Sequence, residues 1–168
     1  MNLKKTSALT LGSLFCAISV IDLYIAALLP TARLALTAAA GIPIAALLII
    51  HGPGCALLSF AATAALSLML LPDKTPAFLY SFFLGYYPVL KFFIEKIRKL
   101  PAELLLKILA FSLALAISLY ISTGIAGIPK IFTFVRLPVF FAAANVVFII
   151  YDFAFTLLIG WFKSRVVC

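Results

Sequence analysis

Between Lys5 and Arg33 the chain carries one charge, Asp22, inside the otherwise apolar run LTLGSLFCAISVIDLYIAALL, which ends at Pro30. At about 1.5 Å of rise per residue, a run of this length is what a helix needs to cross a hydrocarbon layer of roughly 30 Å. Comparable runs recur five more times, each bounded by prolines, glycines or charges. Lipid offers no hydrogen-bond partner to a bare N–H or C=O, so such runs are expected to pair their backbones internally as helices. The expected fold is an all-α integral membrane protein, a compact bundle of six transmembrane helices in a single transmembrane domain. The predicted spans are 7–29, 32–50, 54–71, 76–95, 104–122 and 137–161.

Composition excludes the alternative of a water-soluble core. Of 168 residues 66% are hydrophobic and 11% charged, more apolar surface than one soluble domain of this size can bury. Two boundaries have a clear local cause. Pro76 suits a first helical turn, where its missing N–H would be unpaired anyway, and the HGPG stretch (His51 to Gly54) separates spans two and three. Pro43 and that turn weaken helix locally, so spans two and three form either two full helices or a re-entrant hairpin.

Charge sets the expected orientation. With six spans, both termini and the loops after spans two and four share a side. That side holds Lys4, Lys5, Lys91, Lys96, Arg98, Lys99, Lys107, Lys163 and Arg165, nine of the 13 basic residues, against Arg33, Lys74, Lys130 and Arg136 opposite. Enrichment of Lys and Arg in short loops marks the cytoplasmic face. The termini are therefore expected in the cytoplasm of a bacterial cell, with the chain multi-pass in the cell membrane. The net charge of +8 reads as topology and as attraction to membrane lipid. It does not read as nucleic-acid binding, which needs base-reading groups on a solvated face. The first span is expected to be retained, because its apolar run exceeds a signal-peptide h-region and no small-x-small site follows that run before Pro30 and Arg33. Cys16, Cys55 and Cys168 have no metal or redox spacing, and Cys168 does not form a prenylation box. No phosphate loop, nucleophile elbow or metal-ligand set is present, so the sequence indicates neither an enzyme nor a cofactor.

The informative residues are the polar groups inside apolar runs, where each is costly and tends to face protein or water. Asp22 in span one and Arg33 at the start of span two lie close enough in sequence to pair across the first outer turn. Tyr24 fits an interfacial anchor. Tyr80, Tyr87, Lys91 and Glu95 follow at steps of seven, four and four, one stripe of a 3.6-residue helix, which is expected to face protein. Asn145 and Asp152, seven apart, share a face of span six. Lys91 either joins Asp152, with Tyr87 or Tyr151 hydrogen-bonding to the pair, or pairs with Glu95 at the surface. Pro88 frees the Leu84 carbonyl, and Gly85 admits a close neighbour or a bend. Ala8, Gly12 and Cys16 repeat at intervals of four, a small-residue face for close helix approach, either inside this bundle or against a partner. Alanines at 35, 39, 56, 61, 62, 64 and 65 add small residues to spans two and three.

The six-span layout in 168 residues, the basic amino terminus before a small-residue first helix, the outer turn LPTARLAL and the hairpin IIHGPGCALLSFAATAALSLML together resemble the substrate-binding S component of energy-coupling factor vitamin transporters. The segment FFLGYYPVLKFFIEK is similar to that of a family of small bacterial membrane proteins of the same fold. The resemblance implies a vitamin or other small-molecule ligand in the outer half, among Asp22, Arg33, Tyr80, Lys130, Arg136 and Asn145. It implies docking of Ala8, Gly12 and Cys16 on a transmembrane T component with associated ATPases. It leaves Tyr87, Lys91, Glu95, Tyr151 and Asp152 as an intramembrane polar cluster. The layout is also similar to that of the rod-shape protein MreD, a scaffold that carries no substrate.

Overall fold

The structure, a computed structural model, describes residues 3–97, 100–126 and 136–166. All the described elements are helical: α1 (Leu3–Leu28), α2 (Arg33–Ala39), α3 (Ile42–His51), α4 (Pro53–Leu70), α5 (Thr75–Leu79), a π-helical turn (Tyr80–Leu84), α6 (Tyr87–Glu95), α7 (Leu100–Ala126) and α8 (Arg136–Val166). Six segments are long and apolar enough to cross a membrane: Thr6–Leu28, Arg33–His51, Pro53–Leu70, Thr75–Glu95, Pro101–Ser118 and Val139–Trp161. These follow the predicted spans to within a few residues, and α7 and α8 cover the predicted fifth and sixth spans. The chain divides into two compact units, Met1–Lys96 and Ile97–Cys168.

In the first unit, two of the expected spans are broken helices. Span two is α2 followed by α3. Pro43 sits at the start of α3 and has no N–H to give the carbonyl one turn before it, so the chain makes a tight turn at Ala40–Gly41 and restarts. The Gly41 N–H then bonds back to the Ala38 carbonyl at 3.1 Å. Between α3 and α4, Gly52 takes φ +86°, a left-handed conformation that an L side chain resists. Pro53 then starts α4, so glycine and proline together make the HGPG turn.

Span four is broken twice. The Gly85 N–H donates to the Tyr80 carbonyl at 2.8 Å, five residues back, which closes the wide π turn. Pro88 lies in the first turn of α6, so the helix restarts at Tyr87 instead of continuing through Gly85. The reason the turn widens lies in packing. A Cβ placed on Gly85 would fall 2.6 Å from the Tyr80 ring and 2.7 Å from the Phe60 ring. Phe60 of α4 meets Tyr80 at 5.7 Å and Tyr86 at 5.9 Å between ring centroids. The missing side chain is what lets both rings close over the backbone.

The core of this unit forms around Phe60. On one side lie Leu23, Ala40, Leu71, Ala77 and Tyr80, on the other Ile44, Leu48, Ala56 and Val89, and Phe60 packs against both groups. Helix α1 turns Cys16, Ser19, Leu23 and Ala26 inward, and leaves Leu14, Ile18, Ile21 and Ile25 exposed, as expected of a face meant for lipid.

In the second unit α7 and α8 pack antiparallel, because rising positions on α7 (Lys107, Phe111, Ser112) meet falling positions on α8 (Asp152, Phe148, Asn145). Inward positions on α8 are Asn145, Phe148, Asp152 and Phe155, spaced three, four and three, the seam of a left-handed helix pair. The Phe111 and Phe148 rings stack at 4.5 Å with 6° between planes. The packing around Gly85 generates a direct expectation. Gly85→Ala should destabilise the purified protein by about 1–3 kcal/mol, the usual cost of overpacking, seen as a lower thermal unfolding midpoint in detergent.

Candidate functional site

Four polar groupings stand out, three in the first unit and one in the second. At the turn joining α4 to α5, Asp73 accepts from the Thr75 N–H at 2.9 Å and from its hydroxyl at 2.7 Å. The same carboxylate pairs with Arg33 at 2.7 Å. These bonds hold the Asp73 carboxyl below its ordinary value, the Thr75 N–H contributing most, then the Thr75 hydroxyl, with Arg33 adding a smaller pull. Lys74 donates to the Leu71 carbonyl at 2.7 Å, which serves a carbonyl left open at the end of α4.

Arg33 therefore pairs with Asp73 and not with Asp22. The reason is axial offset. Helix α1 continues to Leu28, which leaves Asp22 about 9 Å short of that helix end, whereas Asp73 lies in a turn at the level where α2 begins. Asp22 is half-buried, with no ion pair or hydrogen bond among the described residues.

The second grouping lies in the core. Ser59, Thr63 and Ser67 are buried along one face of α4. Thr63 donates to the Ser59 carbonyl at 2.8 Å and Ser67 to the Ala64 carbonyl at 2.9 Å. Ser19 of α1 crosses to the Ala40 carbonyl at 2.9 Å. Ser59 reaches the Gly12 carbonyl at 3.3 Å, and Cys55 the Ala8 carbonyl at 3.5 Å. A Cβ on Gly12 would lie 3.0 Å from the Ser59 hydroxyl. At Ala8 and Gly12 this face is thus packed by α4 inside the unit, the first of the two arrangements considered for it. Hydroxyl and thiol groups on α4 complement it, a role that the alanines of spans two and three do not share. Of these, Ala61, Ala62 and Ala65 are exposed while Ala56 is buried.

The third grouping is the stripe on span four. Tyr80 and Tyr87 are fully buried and Lys91 is 2% exposed, while Glu95, at the helix end, is exposed. Lys91 meets Glu95 at 3.0 Å, one of the two pairings considered for it.

In the second unit, Lys107 and Asp152 form an ion pair at 3.0 Å, with side chains 10% and 21% exposed. Asn145 donates to the Phe141 carbonyl at 2.8 Å and meets the Ser112 hydroxyl at 3.3 Å. Asp152 and Asn145 do share a face, as their spacing requires. Lys107 was counted among the loop charges, but it lies inside the candidate span Pro101–Ser118. Lys91 likewise lies inside Thr75–Glu95, and Arg33 inside Arg33–His51, so nine less two leaves seven basic residues on the expected cytoplasmic side, against three. Tyr151 packs its ring against Phe155 at 5.5 Å.

Of the six residues expected to line a ligand site, Asp22, Arg33 and Tyr80 belong to the first unit and Asn145 to the second. Lys130 and the side chain of Arg136 lie outside the described residues. Within the first unit Tyr80 is sealed in the core and Arg33 is neutralised at the turn, so the three are not drawn to one point. An open groove along α7, lined by Pro101, Leu104, Leu105 and Ile108, has no polar group to orient a ligand. Among the described residues no group of three or more His, Cys, Asp or Glu is placed to hold a metal ion.

The residues missed by sequence reasoning left usable signals. Asp73 stands two residues before Thr75-Pro76, a turn and helix-start pattern. The S-x-x-x-T-x-x-x-S run over 59–67 is a hydroxyl stripe at helical spacing. Six apolar helices of crossing length fit a multi-pass membrane protein. No family model, no curated protein and no solved structure matches the chain.

Two expectations follow. Because the Asp73 carboxyl is held low, its charged form contributes stability that is complete above the ordinary value of 3.8 and is lost as pH falls below that value. Asp73→Asn should therefore lower the unfolding temperature near about pH 6, and the difference should shrink as pH falls below 3.8 and through the lowered value. For the second unit, Asp152→Asn alone should cost about 3 kcal/mol by removing the carboxylate charge that Lys107 faces. The double change with Lys107→Met should recover part of that loss, giving a clear coupling energy in a double-mutant cycle. Additive losses would show that the pair carries no coupling.

Proposed function

We propose that this chain is a substrate-binding membrane subunit of an energy-coupling factor type importer for a vitamin or other small molecule. What supports the reading is layout: six apolar helices of crossing length in 168 residues, opening with a small-residue helix closely packed on the helix that follows the HGPG turn. No nucleotide-binding motif accompanies these helices in the sequence, so energy would have to come from a partner, a transmembrane T component carrying ATPases. The ligand would enter from outside, in the half of the protein where Arg33, Asp73 and the 123–136 segment are expected, and both termini would be cytoplasmic.

A second reading, a non-transporting scaffold of the MreD type, is favoured by one observation. The charged and amide groups at Arg33, Lys91, Lys107, Asp152 and Asn145 each have a partner in their own unit. A scaffold needs no free polar group in its interior, whereas a ligand site does.

Purification from the native membrane, with mass spectrometry of co-purifying proteins and bound small molecules, separates the two. The importer reading expects an ATPase-bearing assembly and a retained metabolite. Co-purification of cell-envelope assembly proteins with no small molecule would support the scaffold and remove the importer. Reporters placed after Cys168 and near Arg98 should be cytoplasmic and one near Gly127 external. An external carboxyl terminus would remove the six-span topology common to both readings.

A further inference from the structure

We propose that Asp22 is a lipid-accessible proton-binding site, standing in the membrane as the neutral carboxylic acid with a proton as its counter-ion. The proposal rests on the membrane-spanning reading of α1. Asp22 is the charged residue of the candidate span Thr6–Leu28. It lies six residues before Leu28, about 9 Å inside the end of the span. A helical side chain leans toward the helix amino terminus, which here is away from the nearer end. A lysine or arginine could snorkel back to water from this depth, but an aspartate is too short.

Asp22 stands on the boundary between two faces of α1. Ile18, Ile21 and Ile25 are exposed, whereas Ser19, Leu23 and Ala26 are fully buried. Asp22 itself is half-buried, so its carboxyl is reachable from the lipid side and not sealed in the core. An ionised carboxylate in such a place needs a cation or hydrogen-bond donors. Among the described residues Asp22 has neither an ion pair nor a hydrogen bond.

The elements packed on α1 offer no cation. These are α2, α3, α4 and α5. Arg33 is committed to Asp73, and Lys74, in the turn before α5, to the Leu71 carbonyl. His51 ends α3 four residues before Cys55, whose thiol meets the Ala8 carbonyl, about 21 Å along α1 from Asp22. Lys4 and Lys5, in the first turn of α1, start about 25 Å away. Cys16, Tyr24 and Cys55 on these helices, and Tyr80 in the core cluster with Leu23, are thiols and phenols, which carry no positive charge in either of their protonation states. A proton fills the vacancy of charge and, unlike a metal ion or a ligand, needs no cavity.

The neutral acid is a modification site for a hydrophobic carbodiimide. Its O–H adds across one C=N bond of dicyclohexylcarbodiimide, the proton going to nitrogen and the carboxyl oxygen to the central carbon. An acyl shift from oxygen to nitrogen then gives a stable N-acylurea. Nothing leaves, so the adduct carries the whole mass of the reagent.

The test uses the full chain, recovered from the membrane fraction, reconstituted in phosphatidylcholine vesicles and treated at about pH 7, where an ordinary carboxyl is ionised. Dicyclohexylcarbodiimide is compared with a water-soluble carbodiimide, and adducts are located by peptide mass spectrometry. The expected result is an adduct at Asp22 with the hydrophobic reagent, little with the soluble one, and none at Asp73 with the hydrophobic reagent. Asp22→Asn should abolish the adduct and leave the unfolding temperature unchanged, because a neutral amide replaces a neutral acid of the same shape. An unlabelled Asp22 in the embedded chain would overturn the proposal, since a carboxylate held by a basic ligand or partner does not react. So would equal labelling by both reagents, the behaviour of a carboxyl open to water, or an Asp22→Asn protein that fails to fold or melts well below the wild type. A chain absent from the membrane fraction would remove the spanning reading itself, and the proposal with it.

Discussion

An apolar surrounding accepts no hydrogen bond, and the polar geometry of this chain follows from that cost. Each backbone group must be paired inside the protein, and each side-chain hydroxyl in an apolar helix must find a carbonyl or another side chain. In the first unit the hydroxyls of Ser19, Ser59, Thr63 and Ser67 all donate to backbone carbonyls, two within α4 and two across to neighbouring segments. The cross-helix bonds are available only because the backbones come close, and they come close only because Gly12 and Ala40 carry little or no side chain at the contact. Small residues and hydroxyls are thus two halves of one packing device.

The interrupted helices obey the same rule. Breaks at Gly41–Pro43, Gly52–Pro53 and Gly85–Pro88 each pair a glycine with a following proline. Glycine supplies a tight turn, a left-handed residue, or bare backbone for an aromatic ring, and proline starts the next helix where its missing N–H costs nothing. At Gly85 the cost of breaking the helix is offset by tilted and edge-on packing of Phe60 with Tyr80 and Tyr86 around the gap. Functional interest centres on span four for this reason. It combines a π turn, a sealed tyrosine and a buried lysine within a few turns, and π turns inside helices often coincide with working parts of proteins.

Charges at depth are handled pairwise. Lys91 reaches along its own helix to Glu95, and Lys107 reaches across to Asp152. Pairing lowers the cost of each charge without making the pair a source of stability, since desolvation consumes much of the attraction. The value of such pairs lies in specifying which helix faces meet. In the second unit the ion pair, the Phe111–Phe148 stack and the Ser112–Asn145 contact succeed one another along the seam, and a register shift of α8 would break all three together.

The sequence by itself determined the number, length and approximate ends of the apolar helices, because hydropathy sums over about 20 neighbouring residues and needs no knowledge of the fold. It also determined the local breaks at Pro43 and Pro88, and the face shared by Asn145 and Asp152, because backbone chemistry and helical periodicity are local rules. Only the tertiary structure decided who meets whom. Arg33 meets Asp73 and not Asp22, Asp152 meets Lys107, and the Gly12 face is filled by Ser59 and Cys55, because each contact depends on the rotation and axial offset of helices distant in sequence. Those two variables move a side chain by several ångströms while leaving the hydrophobic pattern unchanged.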